Sequence, residues 1–339
     1  MGKKTLIFGA AVLVGGMSLF LQTGEQEKKS MVTETSAKKE EHLISHTAAG
    51  KAYDYAGHRA GIENADPAKL LISKEEALSM FDQLMGFELG RWLLANKGID
   101  GYWTAYVILH GPQKSGLSEM ENFILHKAPV VRATQERFSI FKKKLQEHME
   151  ARGTQKQVHM CSLPCGTMED LLGLDTAKVS AEVLFTGSDL DETSLQLAAQ
   201  NAEAAGAKAT FEKEDAWELK AENSYDILTS NGLNIYEPDD QKVTALYKQF
   251  HKALKPGGVL ITSFLTPPPA LSSDSPWKNI DPAAATKQKA LFGAVIQVGW
   301  QSFRTEAVTR KQLEEAGFEV IDVIYDHQHM FPTVVARKK

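Results

Sequence analysis

Two turns and two acids carry the chemistry most directly legible in this sequence. The run Cys161-Ser-Leu-Pro-Cys-Gly-Thr-Met-Glu-Asp-Leu-Leu172 follows a β-like segment and leads into a helical one. The turn between the first strand and first helix of a parallel sheet is where a nucleotide-like ligand sits. Gly166 is its one glycine, the residue that lets backbone approach a ligand closely. The dinucleotide fingerprint G-x-G-x-x-G is absent. The second β-like run ends Phe185-Thr-Gly-Ser-Asp-Leu-Asp191, which puts Asp189 23 residues after Gly166. An acid about that far beyond the turn can accept both ribose hydroxyls of an adenosine. Asp191 is the better N-cap for a helix over 192–205. Asp189 is therefore expected on the ribose with Leu190 beside it, the plainer alternative being that either acid merely caps the helix.

Further along, Glu214-Asp-Ala-Trp217 follows a third β-like run. Asp215 and Ala216 are placed to meet the exocyclic amine of an adenine, with Trp217 walling the ring; a solvated loop acid beside a buried Trp is the alternative. The fourth run leads to Ser230-Asn-Gly-Leu233, a tight polar tip expected at the topological switch point, next to the reacting end of a ligand. Ser230 and Asn231 are candidate ligand contacts, and Asn231 and Tyr236 are the positional candidates for catalysis. Turn stabilisation is the alternative for both. Arg304, with Trp300 and Phe303, is placed to bind an anionic or planar substrate group, and Tyr102 and Trp103 are further substrate candidates; plain packing competes in each case. Cys161 and Cys165 are four apart, not a C-x-x-C unit, and read as buried free thiols. His327-x-His329 has no evident third ligand, so no metal is expected.

The elements that position these residues fall into two regimes. Over 66–153 the apolar spacing is helical: Ser73 and Glu76 form a capping-box pattern, Leu78 to Leu93 repeat at i, i+3, i+4, and a second helix runs from about Val130 to Arg152. From residue 157 short β-like runs at 157–162, 182–187, 208–213, 225–230, 258–264, 318–325 and 331–337 mostly alternate with helical stretches. That alternation predicts βαβ units. The last two runs are too close for a parallel crossover and must form a hairpin. The expected fold is α/β, a doubly wound, mostly parallel seven-stranded sheet with an antiparallel last strand, preceded by a helical N-terminal cap. The expected boundaries are a hydrophobic segment and linker at 1–48, the cap at 49–153 and a Rossmann-like cofactor domain at 154–339. Between the fifth strand and the last helix lies a long insertion, Leu265 to Thr305.

In this order, the pieces from about residue 158 onward resemble the class I S-adenosylmethionine-dependent methyltransferases. Ser162, Pro164, Gly166 and Met168 stand where that family usually has an acid and three glycines, so the acid and two glycines are missing. Gly187-Ser-Asp189 resembles the family's ribose-binding acid, Asp215-Ala216 its adenine-side pair, Asp226 to Leu233 its segment after the fourth strand, Leu254-Lys-Pro-Gly-Gly258 the turn before the fifth, and Thr309 to Phe318 the helix before the final hairpin. The resemblance implies S-adenosylmethionine as cofactor, contacts from Ser162, Pro164, Gly166, Asp189, Leu190, Asp215, Ala216, Ser230 and Asn231, and methyl transfer to a small-molecule or lipid-like acceptor. An NAD(P)-dependent oxidoreductase and a catalytically inactive, membrane-tethered interaction module are the competing readings.

Composition narrows the partners. The net charge of −5 over 339 residues gives no global basic surface for nucleic acid. Lys3 and Lys4 precede an uncharged run, Thr5–Gly24, long enough for one membrane-spanning helix. An anchor is expected; a signal peptide and a packed or disordered tail are the alternatives. Lysines flank the run on both sides, and the slight bias is towards a body that stays in the cytoplasm, anchored in the inner membrane. S-adenosylmethionine is made in the cytosol, which pulls the same way.

Overall fold

The computed structural model describes residues 53–66, 70–298 and 301–339. The uncharged run at 5–24, the linker at 25–48 and Trp300 lie outside the described residues. Among the described residues no helix is long and apolar enough to cross a membrane.

Seven strands form one sheet in the order β3-β2-β1-β4-β5-β7-β6. They are β1 Gln157–Ser162, β2 Glu182–Asp189, β3 Ala209–Lys213, β4 Tyr225–Ser230, β5 Leu254–Ser263, β6 Phe318–Ile324 and β7 Thr333–Lys338. The pairs among β1 to β5 are parallel. Strand β7 runs antiparallel to both β5 and β6, closing the sheet with the hairpin expected from the short gap. The chain winds outward from β1 to β3 and then returns to β4 on the other side of β1. That reversal opens a crevice at the carboxyl ends of β1 and β4. Strand β4 is buried along its whole length, as a parallel strand covered on both faces must be. Strand β3, at the edge, is largely exposed.

Ahead of the sheet the described residues form six helices: α1 Tyr55–Glu63, α2 Lys74–Met85, α3 Glu88–Asn96, α4 Gly101–Ala105, α5 Glu119–His126 and α6 Pro129–Glu150. The Ser73–Glu76 capping box opens α2 with both reciprocal hydrogen bonds. Where the periodicity predicts one helix from Ser73 to Asn96, the structure has two. Phe87 adopts extended backbone, and the chain folds back so tightly that a Cβ on Gly90 would lie 2.0 Å from the Leu84 carbonyl oxygen. The aromatic stretch after α4 continues as a wider π-helical turn over Tyr106–His110.

Helix α6 joins the two halves. Its start (Val130, Val131, Ala133) packs into the core of the N-terminal helices, and its later turns (Phe141, Leu145, Met149) pack into the core beneath the sheet. Five more helices follow: α7 Glu169–Leu172, α8 Glu192–Ala204, α9 Asp240–Ala253, α10 Pro282–Lys289 and α11 Glu306–Glu315. Part of the long insertion belongs to the core. Leu265, Leu291, Phe292, Val295 and Ile296 are fully or nearly fully buried against the N-terminal helices, together with Met330 and Phe331 from the final hairpin turn.

Candidate active site

The turn after β1 is fastened to the end of β2. The Cys165 amide donates to the Ser188 carbonyl at 2.9 Å, and the Gly166 amide donates to Asp189 Oδ2 at 3.0 Å. Asp189 Oδ1 accepts the Asp191 amide at 3.0 Å. A carboxylate has about four lone-pair sites, so Asp189 can hold the turn and still accept from a diol. Burial, the largest influence, raises its pKa. Asp191 accepts from the amides of Thr193 and Ser194 and caps α8, as expected of it.

Gly166 has φ +51° and Met168 φ +61°, both left-handed. Met168 therefore keeps a glycine-like backbone at a cost of about 1–2 kcal/mol. Its side chain is fully buried, and Gly187 leaves room for it: a Cβ there would lie 3.0 Å from the Met168 sulfur. The acid missing at Ser162 is supplied from elsewhere. Ser162 Oγ donates to the Asp170 carboxylate at 2.9 Å and 3.2 Å, and the Leu171 amide donates to Asp170 Oδ1 at 2.9 Å. Burial pushes the Asp170 carboxyl up to about 6, against the pull of the Ser162 hydrogen bond.

The N-terminal helices close over this turn. Asp100 caps α4 by accepting the Trp103 amide at 2.9 Å. A Cβ on Gly101 would stand 2.8 Å from the Gly166 Cα and 2.8 Å from Ser194 Oγ. Between them is a cavity of about 90 Å³, walled by Thr104, Ala105, Ile108 and Leu109 from above, Arg137 and Phe138 from α6, and Ser162, Gly166, Asp170, Asp189 and Asn231 from the sheet edge. The chemistry of these walls fits an aminoacyl-adenosine cofactor: a left-handed glycine, a ribose-type acid with spare lone pairs and a second buried carboxylate. The cavity is partly open to solvent, and its volume is below the ~300–1,000 Å³ usual for small-molecule sites.

Of the residues singled out in the sequence, Ser162, Pro164, Gly166, Asp189 and Asn231 meet at this cavity. Leu190, Asp215, Ala216 and Ser230 are not among its walls. Asp215 accepts the Trp217 amide at 2.9 Å in a local turn, and the Trp217 indole donates to the Lys242 carbonyl at 3.0 Å. Ser230 is buried in β4, its carbonyl accepting from Thr262 at 2.9 Å. Tyr236 is buried, and its hydroxyl has no partner.

Tyr102 is half exposed, and Trp103 is packed between Trp92 and Tyr106; neither faces the cavity. Gly101, Thr104 and Ala105 do, one helix face away. Arg304 does different work from the anion binding expected of it. It is 4 % exposed and pairs with Asp240 at 2.7 Å, while also donating to the carbonyls of Asn234 at 2.9 Å and Glu237 at 2.6 Å. With those donors committed, it clamps the segment after β4.

The residues the sequence reading missed are Gly101, Thr104, Arg137 and Asp170. Arg137 had a detectable signal, since it interrupts the apolar stripe Ala133, Phe141, Leu145 of its helix. Cys161 and Cys165 are buried free thiols, as expected. Among the described residues no cluster of three or more His, Cys, Asp or Glu side chains could hold a metal.

A methyltransferase domain family matches residues 161–258, from the end of β1 into β5. Among solved structures, a protein from Bordetella parapertussis described as a possible exported protein is 40% identical, with 84% of this chain and 97% of that chain covered and a TM-score of 0.76. Magnesium protoporphyrin IX methyltransferase from Synechocystis, solved with bound S-adenosylhomocysteine, is 17% identical over 70% of this chain and 94% of that one, with a TM-score of 0.48. A 1,6-didemethyltoxoflavin N1-methyltransferase from Burkholderia thailandensis is 18% identical over 60% of this chain and 78% of that one, with a TM-score of 0.42. No curated protein matches the sequence.

Residues 161–258 form a methyltransferase domain, set in a Rossmann-like sheet. The protein is a methyltransferase. The antiparallel β7 and the family match displace the oxidoreductase reading.

Proposed function

We propose that the protein methylates a small-molecule acceptor in the cavity between the Gly166 turn and the N-terminal helices, with its body facing the cytoplasm. The observation that carries this is the Asp189 clamp, which fixes the turn after β1 to the tip of β2 and keeps lone pairs spare. Asp189 would hold the ribose, the Gly166 turn would lie against the methionine portion, and Asp170 would face its ammonium. When bound, the cofactor supplies an electrophilic methyl group on a sulfonium.

The chain contributes alignment and the exclusion of water. Ile108, Leu109 and Phe138 form a largely apolar lid and wall. Asn231, at the tip of β4, has a buried side-chain oxygen without a partner and is placed to orient the acceptor by accepting from it. Tyr236 cannot serve as a base at neutral pH, because burial drives its phenol well above the ordinary value. Its proton stays on, leaving it a hydrogen-bond donor. No base is needed for an acceptor whose nucleophile carries no proton of high pKa.

Calorimetry with S-adenosylhomocysteine tests the cofactor site; absence of binding at millimolar ligand would sink the proposal. A screen for methyl incorporation into metabolites and extracted lipids separates a small-molecule acceptor from a lipid-like one. For location, support comes from the two buried free thiols, which suit a reducing compartment, and from cytosolic cofactor supply. The Bordetella relative's description as a possible exported protein favours the opposite. Protease added to spheroplasts decides: a body protected from outside supports the cytoplasmic reading, and digestion refutes it.

A further inference from the structure

Arg137 is a buried cation that makes no direct ion pair among the described residues. It sits on the apolar face of α6, 1 % exposed, among Ala133, Thr134 and Phe141. Nη1 donates to Ser263 Oγ at 3.2 Å, Nε is buried with no partner, and the guanidinium lies 4.9 Å from the centre of the Phe331 ring. Two groups face it without bonding to it: Asp326 attracts it across space while its carboxylate accepts the amides of Gln328, Met330 and Phe331, and Tyr236 stays neutral. Burial lowers the guanidinium only to about 10, so it remains charged at neutral pH. A buried charge whose opposite charge is held only at a distance is expensive, and this one lines the cavity of the active site.

We propose that Arg137 seats an anionic group, a carboxylate or a phosphate, carried by the methyl acceptor. Its position assigns the anion to the acceptor. Ser263 ends β5, and a Cβ on Gly232, beyond the tip of β4, would stand 3.3 Å from Arg137 Nη1. Asp189 and the Gly166 turn lie towards β2, on the other flank of β1. With strands about 4.8 Å apart, the tip of β5 is about 14 Å from that of β2. The second unpartnered buried atom on the same wall, Asn231 Oδ1, gives the acceptor a polar contact beside its anion. The inference rests on the methyl-transfer reading.

The test uses the full chain loaded with S-adenosylhomocysteine and titrated with acetate and inorganic phosphate at constant ionic strength, followed by thermal shift. A saturable rise in Tm for wild type, weakened about tenfold or more in Arg137→Met, is the expected result. Arg137→Met removes the cation that attracts Asp326 and the donor to Ser263, so its Tm is expected to fall, and the anion-induced rise is read from each protein's own baseline. The variant's affinity for S-adenosylhomocysteine should stay within about twofold. If wild type binds S-adenosylhomocysteine but shows no saturable anion effect, the proposal is overturned. If Arg137→Met instead loses S-adenosylhomocysteine, and wild type discriminates against its decarboxylated analogue while the variant does not, the anion is the cofactor's own carboxylate and the acceptor assignment is overturned. An anion effect without any S-adenosylhomocysteine binding would keep an anion site but remove the methyl-transfer reading beneath it.

Discussion

Gly101 and Gly166 face each other across the boundary between the helical half and the sheet. A Cβ on Gly101 would come within 2.8 Å of the Gly166 Cα, and one on Gly166 within 3.4 Å of the Gly101 Cα. The backbone of the lid therefore rests directly on the backbone of the cofactor turn. Gly101→Ala forces one of them to move and should cost about 1–3 kcal/mol. Gly61, on the exposed face of α1 with nothing near its missing Cβ, gives the opposite sign: Gly61→Ala should gain about 0.5–1 kcal/mol. Thermal melts of the two variants check this, and equal shifts would show that the glycine contact is not tight.

Asp189→Ala removes the acceptor for the Gly166 and Asp191 amides as well as the proposed ribose contact. Affinity for S-adenosylhomocysteine should fall about 10- to 150-fold, the loss expected for hydrogen bonds to a charged group. Asp189→Asn should recover little, because its NH2 would confront one of the two amides. Calorimetry on both variants reads this directly, and an unchanged Kd would remove Asp189 from the site.

Asp170 makes stability depend on pH. Its folded pKa is about 6, above the ordinary carboxyl value of 3.8. The folded state therefore holds a proton that the unfolded chain gives up more readily. The stability linked to that proton is fully present below about pH 4 and is lost as pH rises through about 6. Asp170→Asn has no such loss. The difference in stability between the variant and wild type should shift in the variant's favour by on the order of 3 kcal/mol between pH 4 and 7, then level off. A difference independent of pH in paired denaturant melts would contradict the buried carboxyl.

Arg304→Ala should lower stability without touching catalysis. It strands the carbonyls of Asn234 and Glu237, each worth about 1–3 kcal/mol if left unsatisfied in a buried place. Asp240, the ion-pair partner, is solvent-exposed and needs no compensation. The expected outcome is a lower Tm with KM unchanged in the fraction that remains folded. A raised KM at unchanged Tm would return Arg304 to the substrate.

Cys161 and Cys165 should be inert in the native protein. Burial raises both thiols well above their ordinary values, so little thiolate forms at neutral pH. A thiol-reactive chromophore should label neither residue natively and both after denaturation. Fast native labelling of either would show that the turn opens readily.

How much was legible follows from sequence distance. Asp189 could be tied to Gly166 because both lie within one βαβ unit, where the distance from turn to acid is set by one helix and one strand. The seven strands and the final hairpin were legible for a similar reason: alternation, burial and connection length are local. The sequence also marked Ser162 and Met168 as departures from the glycine-rich pattern. Only the folded chain shows that Asp170 reaches back to Ser162 and that Gly187 makes room for Met168. The helical spacing over 66–153 does not give the face that α4 presents, so Tyr102 and Trp103 stand out in the sequence and Gly101 and Thr104 do not. The widest gap is at Arg137 and Arg304. Both are buried arginines whose roles depend on groups far along the chain, Ser263 for one and Asn234 and Glu237 for the other. Local sequence determines which residue types lie on a helix or at a strand tip. Whether a buried guanidinium is neutralised or left free to bind is decided by tertiary packing, because its partners come from elements that meet only when the sheet closes.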